Sequence, residues 1–283
     1  YLQSVQPVNH PVQSNQLPFP FNIRTSLLAW NWINFKQGEF KPDMKKSAEW
    51  NRGAYIVAGL GHCGTCHTPK NMLGGDENDK FLQGSVVENW MAPDITSNSH
   101  TGLGSWTAED ITTYLKTGAN RFDMASGPMA EEVQNSSQHW TDEDLHAVAV
   151  YLKDSGLDSG SKAPAAISAS DNSMKAGKAI YADRCSACHT PNGGGQPGLF
   201  PRLADSPLIN SDNPASLIHV VLTGSRPVDT KAAPTAPGMP SFDANLSDAD
   251  VANVLTYIRN SWGNSATAVK DSEVKALRTE LKK

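Results

Sequence analysis

The chain has 283 residues, 39% hydrophobic and 19% charged, which suits a folded protein long enough for two modest domains and excludes wholesale disorder. Its 24 basic and 29 acidic residues give a net charge of −5, so the basic field that nucleic-acid binding needs is missing and no nucleic-acid partner is expected. No uninterrupted apolar run approaches the roughly 18 residues of a membrane-spanning helix, and the start lacks a basic-then-apolar leader with a small-residue cleavage site, which leaves a processed or a cytoplasmic form.

Residues 1–44 lie outside any repeat. Within them Pro18 to Phe40 carries Phe19, Phe21, Trp30, Trp32, Phe35 and Phe40. Such an aromatic-rich connector is expected to pack on the chain's own domains. Its functional alternative is an interface with another subunit or with the membrane surface, where Trp is favoured.

Two copies of one helical module follow, over residues 45–156 and 171–263. Thr107 to Gly118 ("TAEDITTYLKTG") aligns without gaps with Asn213 to Gly224 ("NPASLIHVVLTG"), each opening on a capping residue and closing on Thr-Gly. At the same offset, "TDEDLHAVAVYL" from Thr141 matches "SDADVANVLTYI" from Ser247, each with an aspartate three residues after the cap. Leu145, Val148 and Leu152 share one helical face, as do Val251, Val254 and Ile258. Upstream, "GAYIVAGLGHCGTCHTP" and "GKAIYADRCSACHTP" each form a helix leading into a cysteine cluster, the first copy being longer. Residues 157–170 have linker composition, and 264–283 form a charged tail able to make a helix, with Val269, Val274, Leu277 and Leu281 too irregular for an anchor. The fold class expected is therefore all-α, with two tandem domains joined by a linker.

All four cysteines lie in the two clusters, Cys63 and Cys66, then Cys185 and Cys188, and each second cysteine is followed by histidine, His67 and His189. Residues i, i+3 and i+4 share one side of a helical turn, so two sulfurs and an imidazole address one flat object. That is the pattern of covalent haem c attachment: two thioethers, with histidine on the iron. A zinc site built from both pairs would have to close across a whole intervening domain, and a thioredoxin-like dithiol lacks its βαβ setting. The expected cofactors are two covalently attached haem c groups. Thioether formation occupies every thiol and takes place outside the cytoplasm, which points to the periplasm.

The sixth iron ligand separates electron transfer from peroxide or gas chemistry. Met239, in "APGMPSF" ahead of the last module helix, is the candidate in the second module. The first offers Met124 and Met129 in "FDMASGPMAEEV"; Met129 is preferred for its Gly/Pro context and its nearness to the final helix. His100, His139 and His219 suit surface or packing roles. The carbonyl of Pro201 could accept the Nδ1 proton of His189, and that of Pro93 the proton of His67. Arg202 is a candidate for a haem propionate, and Trp90 and Met91 are expected to be wall residues.

The stretches "LPFPFNIR", "AWNWINF", "RGAYIVAGLGHCGTCHTPKN", "APDIT", "GSWTAEDI", "GPMAEEV", "MPSF" and "YIRNSWGN" resemble the triple-haem cytochrome c subunits of bacterial membrane-bound dehydrogenases acting on alcohols, aldehydes, gluconate and other sugars. The resemblance covers Tyr1 to about Asn264. It implies class I cytochrome c-like domains with His/Met ligation, supporting His67 with Met129 and His189 with Met239. It also implies a partner catalytic subunit holding a flavin (FAD) or pyrroloquinoline quinone (PQQ), electrons passed towards ubiquinone, and a periplasmic chain peripherally associated with the inner membrane. Such a chain is not an enzyme by itself. Against this family the chain lacks the first haem domain: Tyr1-Leu2 reads like Tyr151-Leu152 and Tyr257-Ile258, the last turn of a third copy, and residues 1–44 are then a helix remnant plus connector. The competing expectations are a freestanding dihaem carrier and a di-haem peroxidase with one iron open to peroxide.

Overall fold

The computed structural model describes residues 2–226, 229–232, 234 and 237–282. After a single 3-10 turn at Leu2–Ser4, residues 5–17 have no regular structure and α1 spans Ser26–Asn34. The first module consists of α2 (Ala48–Tyr55), α3 (Gly64–His67), a hairpin of β1 (Ser85–Val87) and β2 (Trp90–Ala92), α4 (Ala108–Thr117), α5 (Gly127–Asn135) and α6 (Asp142–Asp154). The second consists of α7 (Asn172–Arg184), α8 (Ser186–His189), α9 (Pro207–Asn210), α10 (Ala215–Thr223) and α11 (Asp248–Ile258), and α12 (Asp271–Glu280) follows. Among the described residues no helix is long and apolar enough to cross a membrane.

Each module is built on the crossing of its first and last long helices, and a glycine makes the crossing possible. A Cβ at Gly53 would lie 1.9 Å from the Ala147 carbonyl oxygen, and one at Gly177 would lie 2.1 Å from that of Asn253. No side chain fits, so the backbones of α2 and α6, and of α7 and α11, meet directly. The faces anticipated from the heptad-like spacing close the cores: Leu145, Val148 and Leu152 in one module, Val251, Val254 and Ile258 in the other, all buried. The two modules have separate apolar clusters, one around Val57, Leu82 and Trp106, the other around Tyr181, Leu222 and Leu255.

The helix starts follow the capping chemistry. Thr107 and Asp110 form a reciprocal capping box at α4, as do Ser247 and Asp250 at α11. At α6 Thr141 accepts from Asp144 N–H, but the Asp144 carboxylate is taken by Arg52, at 2.7 and 2.8 Å, so the box does not close. Asn213 Oδ1 accepts from Ala215 N–H (2.9 Å) with Pro214 entering the first turn of α10. Behind each final helix one cation holds the same loop: Lys153 donates to the Leu103 carbonyl (3.0 Å), and Arg259 donates to that of Ile209 (2.9 Å), 106 residues on in each case.

Four features depart from the sequence reading. The all-α class holds with one small addition: the longer stretch between His67 and Pro93 carries the two-stranded β1–β2 hairpin, in register Ser85↔Ala92 and Val87↔Trp90. The extra residues before Cys63 are absorbed by a π turn, Ile56–Leu60, that widens the end of α2. The tail is not separate from the second module, because Val269 and Val274 are buried in its core and Arg278 pairs with Asp248. The linker is tied to both modules: Ser97 N–H donates to Leu157 O (3.0 Å), Leu157 packs on the first core, and Ser265 Oγ donates to Pro164 O (2.6 Å).

The aromatic connector packs on its own chain only in part. Trp30 Nε1–H donates to Leu73 O (2.8 Å), Asn71 Nδ2 donates to Asn34 Oδ1 (2.8 Å), and Phe40 meets Tyr55 edge-on. The outer face of α1 is left to solvent, with Trp32 88% exposed and Phe19, Phe21 and Phe35 also exposed.

Candidate haem sites

The two histidines are held alike. Short helices α3 and α8 carry Cys63/Cys66/His67 and Cys185/Cys188/His189, and backbone bonds from His67 N–H to Cys63 O and from His189 N–H to Cys185 O, each 3.0 Å, fix the turn. His67 Nδ1 lies 2.7 Å from Pro93 O and His189 Nδ1 lies 3.0 Å from Pro201 O. A carbonyl can only accept, so Nδ1 carries the proton and Nε2 presents its lone pair. Desolvation holds both imidazoles below their usual range, with the carbonyls opposing, and this keeps them neutral and ligating. Both prolines anticipated from the sequence therefore fill the role assigned to them.

The thiols are poor candidates for thiolate chemistry. Burial pushes Cys63 up to about 12 and Cys185 up to about 11, the opposite of an activated dithiol. Cys188 is exposed and Cys66 half-buried, so each cluster reaches the surface at one edge.

On the opposite limb, Met239 packs against the second core and exchanges two backbone hydrogen bonds with Ser225 (2.7 and 3.1 Å), just after the α10 terminus. The equivalent bridge in the first module joins Ala119 to Met124, so Met124 holds the backbone place of Met239. Met129 lies instead in the first turn of α5, packed with Tyr114 against Ala125, Ala130 and Val133.

Other candidates are accounted for differently. Arg202 is committed to Asp205 (2.5 Å) and to the Ala204 carbonyl (2.6 Å). His139 is exposed. His100 and His219 have packing roles, but across the module boundary: His100 faces the Ser265 backbone and Asp212, and His219 stacks on Trp90. The sequence reading passed over Trp106. It is 6% exposed, it is stacked 5.4 Å from Phe122, and its Nε1–H is buried with no partner among the described residues. Only the full hydrogen-bond accounting of the fold exposes such an orphan donor.

Comparison with known proteins gives the family. The cytochrome c family pattern matches residues 40–156 and again 174–262. The chain belongs to the cytochrome c family. Over 299 residues it is 36% identical to the cytochrome c subunit of a quinone alcohol dehydrogenase from Gluconobacter oxydans, covering 99% of this cytochrome and 62% of that protein. It is 35% identical to the gluconate 2-dehydrogenase cytochrome c subunit of Pantoea cypripedii, again covering 99% of the chain and 68% of the relative. A diheme c-type cytochrome of Cereibacter sphaeroides is 37% identical over 54% of the chain and 51% of its own length. The cytochrome thus spans about two thirds of the length of the dehydrogenase subunits it matches.

Proposed function

We propose that this cytochrome carries two covalently attached haem c groups, one at Cys63/Cys66/His67 and one at Cys185/Cys188/His189, and passes electrons from the FAD or PQQ catalytic subunit of a dehydrogenase towards ubiquinone. The observation that carries the reading is the pair of Cys-x-x-Cys-His turns, each with histidine Nδ1 tied to a proline carbonyl and Nε2 left free. The unpartnered indole N–H of Trp106 fits the same group, since a tetrapyrrole carboxylate would supply the missing acceptor. When bound, each haem supplies a one-electron iron couple. The chain's own residues hold it: cysteines by thioether, His67 and His189 by Nε2, and Met129 and Met239 as the soft sixth donors that close the irons and raise their potentials. The backbone equivalence of Met124 with Met239 makes Met124 the rival that mutation must exclude.

Periplasmic location follows from covalent attachment, and peripheral association with the inner membrane and the catalytic subunit is supported by the exposed aromatic face of α1. A second reading, a freestanding dihaem carrier, draws support from the diheme relative.

Pyridine haemochrome titration tests the core of the proposal. Two haems per chain that remain on the denatured polypeptide are expected, with ferrous spectra that resist carbon monoxide. One haem, or a haem shed on denaturation, overturns the assignment. Ready carbon monoxide uptake indicates an open iron and the peroxidase class. Purification from native membranes with the attached subunits identified separates the dehydrogenase subunit from the freestanding carrier.

A further inference from the structure

The segment between the haem histidine and its proline acceptor is 14 residues longer in the first module than in the second: His67 to Pro93 against His189 to Pro201. In the first module this extra length includes the β1–β2 hairpin. A two-residue turn at Glu88–Asn89, both with positive φ (50° and 66°), reverses the chain tightly. The strand it delivers, β2, lies on α10 of the second module.

The contacts are specific. Met91 N–H donates to Ser216 Oγ (2.7 Å) while the Ser216 hydroxyl donates to Met91 O (3.0 Å), so a buried serine on α10 pairs with the strand as another strand would. His219 Nδ1–H donates to Asn89 O at the turn (3.2 Å). The Trp90 indole stacks on the His219 ring, centroids 4.0 Å apart and 25° between planes. Trp90 is also gripped within its own module. A Cβ at Gly127 would lie 2.5 Å from the indole, so Trp90 rests on bare backbone at the start of α5.

These positions lie within a few residues of the groups that anchor both candidate sites. Trp90 stands three residues before Pro93, which fixes His67, and against Gly127, two residues before Met129. His219 stands six residues before Ser225, which holds Met239. The second module holds His189 without such a hairpin, by a shorter loop closed at the Gln196–Phe200 bridge.

We propose that the β1–β2 hairpin is an inter-haem coupler, in which the Trp90–His219 stack is a positioning pair that fixes the two haem groups at one separation for electron exchange within the chain. The proposal rests on the two-haem reading above. The step moves one electron: the donor iron passes from ferrous to ferric and the acceptor iron from ferric to ferrous, with no bond made or broken and no proton transferred. What the stack contributes is rigidity, because a flat ring held both by bare backbone at Gly127 and by a stacked imidazole has little freedom to reseat.

The test uses the holoprotein and four variants: Trp90→Ala, Trp90→Phe, His219→Leu and Ser216→Ala. Haem content and both midpoint potentials are recorded first. Inter-haem equilibration is then followed after pulsed one-electron reduction, and the iron–iron distance distribution is measured by pulsed EPR on the oxidised protein. Trp90→Ala and His219→Leu should broaden that distribution and slow equilibration by about tenfold or more, the change that a barrier rise of about 1.4 kcal/mol carries. Both potentials should stay in place. Ser216→Ala should act in the same direction, and Trp90→Phe, which keeps a flat ring on His219, should return rate and distribution towards the parent. His219→Leu leaves the first module's interior untouched, so the proposal stays testable if Trp90→Ala fails to fold. Unchanged rate and distance in His219→Leu, or a slower rate with no rescue by Trp90→Phe, overturns the coupler. Fewer than two haems in the parent chain overturns the two-haem reading instead, and haemochrome titration reports that independently.

Discussion

Replacing Gly177 by alanine drives a methyl group into the crossing of α7 and α11. The added Cβ would stand 2.1 Å from the Asn253 carbonyl oxygen and 2.6 Å from Tyr257 Cβ. The first contact is about 1.3 Å short of ordinary van der Waals separation, and both obstacles are backbone or Cβ atoms that cannot rotate away. The helices must part along the seam that organises the second core. Overpacking of this kind costs about 3 kcal/mol, of which the better helix propensity of alanine returns about 1 kcal/mol, leaving a loss of about 2 kcal/mol. For a domain of this size that lowers the melting temperature by about 8–16 °C. Calorimetry of the holoprotein, with hydrogen exchange of α7 and α11 against α2 and α6, shows whether the loss is confined to the second module. Gly53→Ala should produce the mirror result, confined to the first. An unchanged or raised melting temperature, the ordinary outcome for Gly→Ala in an exposed helix, would refute the close-crossing argument.

Four further outcomes are expected. Met239→Ala should open the second iron, remove its long-wavelength thioether-to-iron absorption, lower its potential and admit carbon monoxide, as spectroelectrochemistry would record. Met129→Ala should do the same for the first iron while Met124→Ala does not; the reverse result would give the ligand role to the residue that shares the backbone place of Met239. Trp106→Phe keeps the stack on Phe122 but removes the orphan N–H, so it should shift the first haem's potential and leave the second in place. Asp110 is held down to about 2 by its hydrogen bonds with Arg121 and by the Thr107 cap. A depressed carboxylate stabilises the fold above its unfolded value and loses that contribution as pH falls through the folded one, so Asp110→Asn should weaken the first module near neutrality. The variant should also flatten its loss of stability between about pH 4 and 2 in acid titrations.

Much of the site was legible because its chemistry is local. Cysteines and histidine one turn apart, Gly-Met-Pro, and a proline placed after the histidine are each readable within a few residues, and Pro93 and Pro201 accept from the two imidazoles as that reading requires. Capping residues were equally readable at Thr107 and Ser247. What escaped depends on partners far along the chain. Gly53 and Gly177 look like weak points in helices until Ala147 and Asn253 are seen against them. The hairpin has three-residue strands and a Glu-Asn turn without glycine, so neither alternation nor turn chemistry announces it. Val274, Leu277 and Leu281 are regular by helical spacing, but Val269 lies ahead of α12, and reading all four as one pattern hid the helix's apolar face and its place on the second core. Trp106 is silent for another reason: an unsatisfied donor is defined by what surrounds it.

The π turn at Ile56–Leu60 bears on how such chains tolerate change in length. Extra residues entered between two fixed points, the crossing glycine and the first cysteine, and were stored as one wide turn while Gly53 and Cys63 kept the places of Gly177 and Cys185. That stretch acts as a slack loop in an otherwise taut thread. Insertions and deletions can collect there without moving the Cys-x-x-Cys-His turn, whereas the same change one turn earlier would rotate α2 and swing Gly53 out of the crossing.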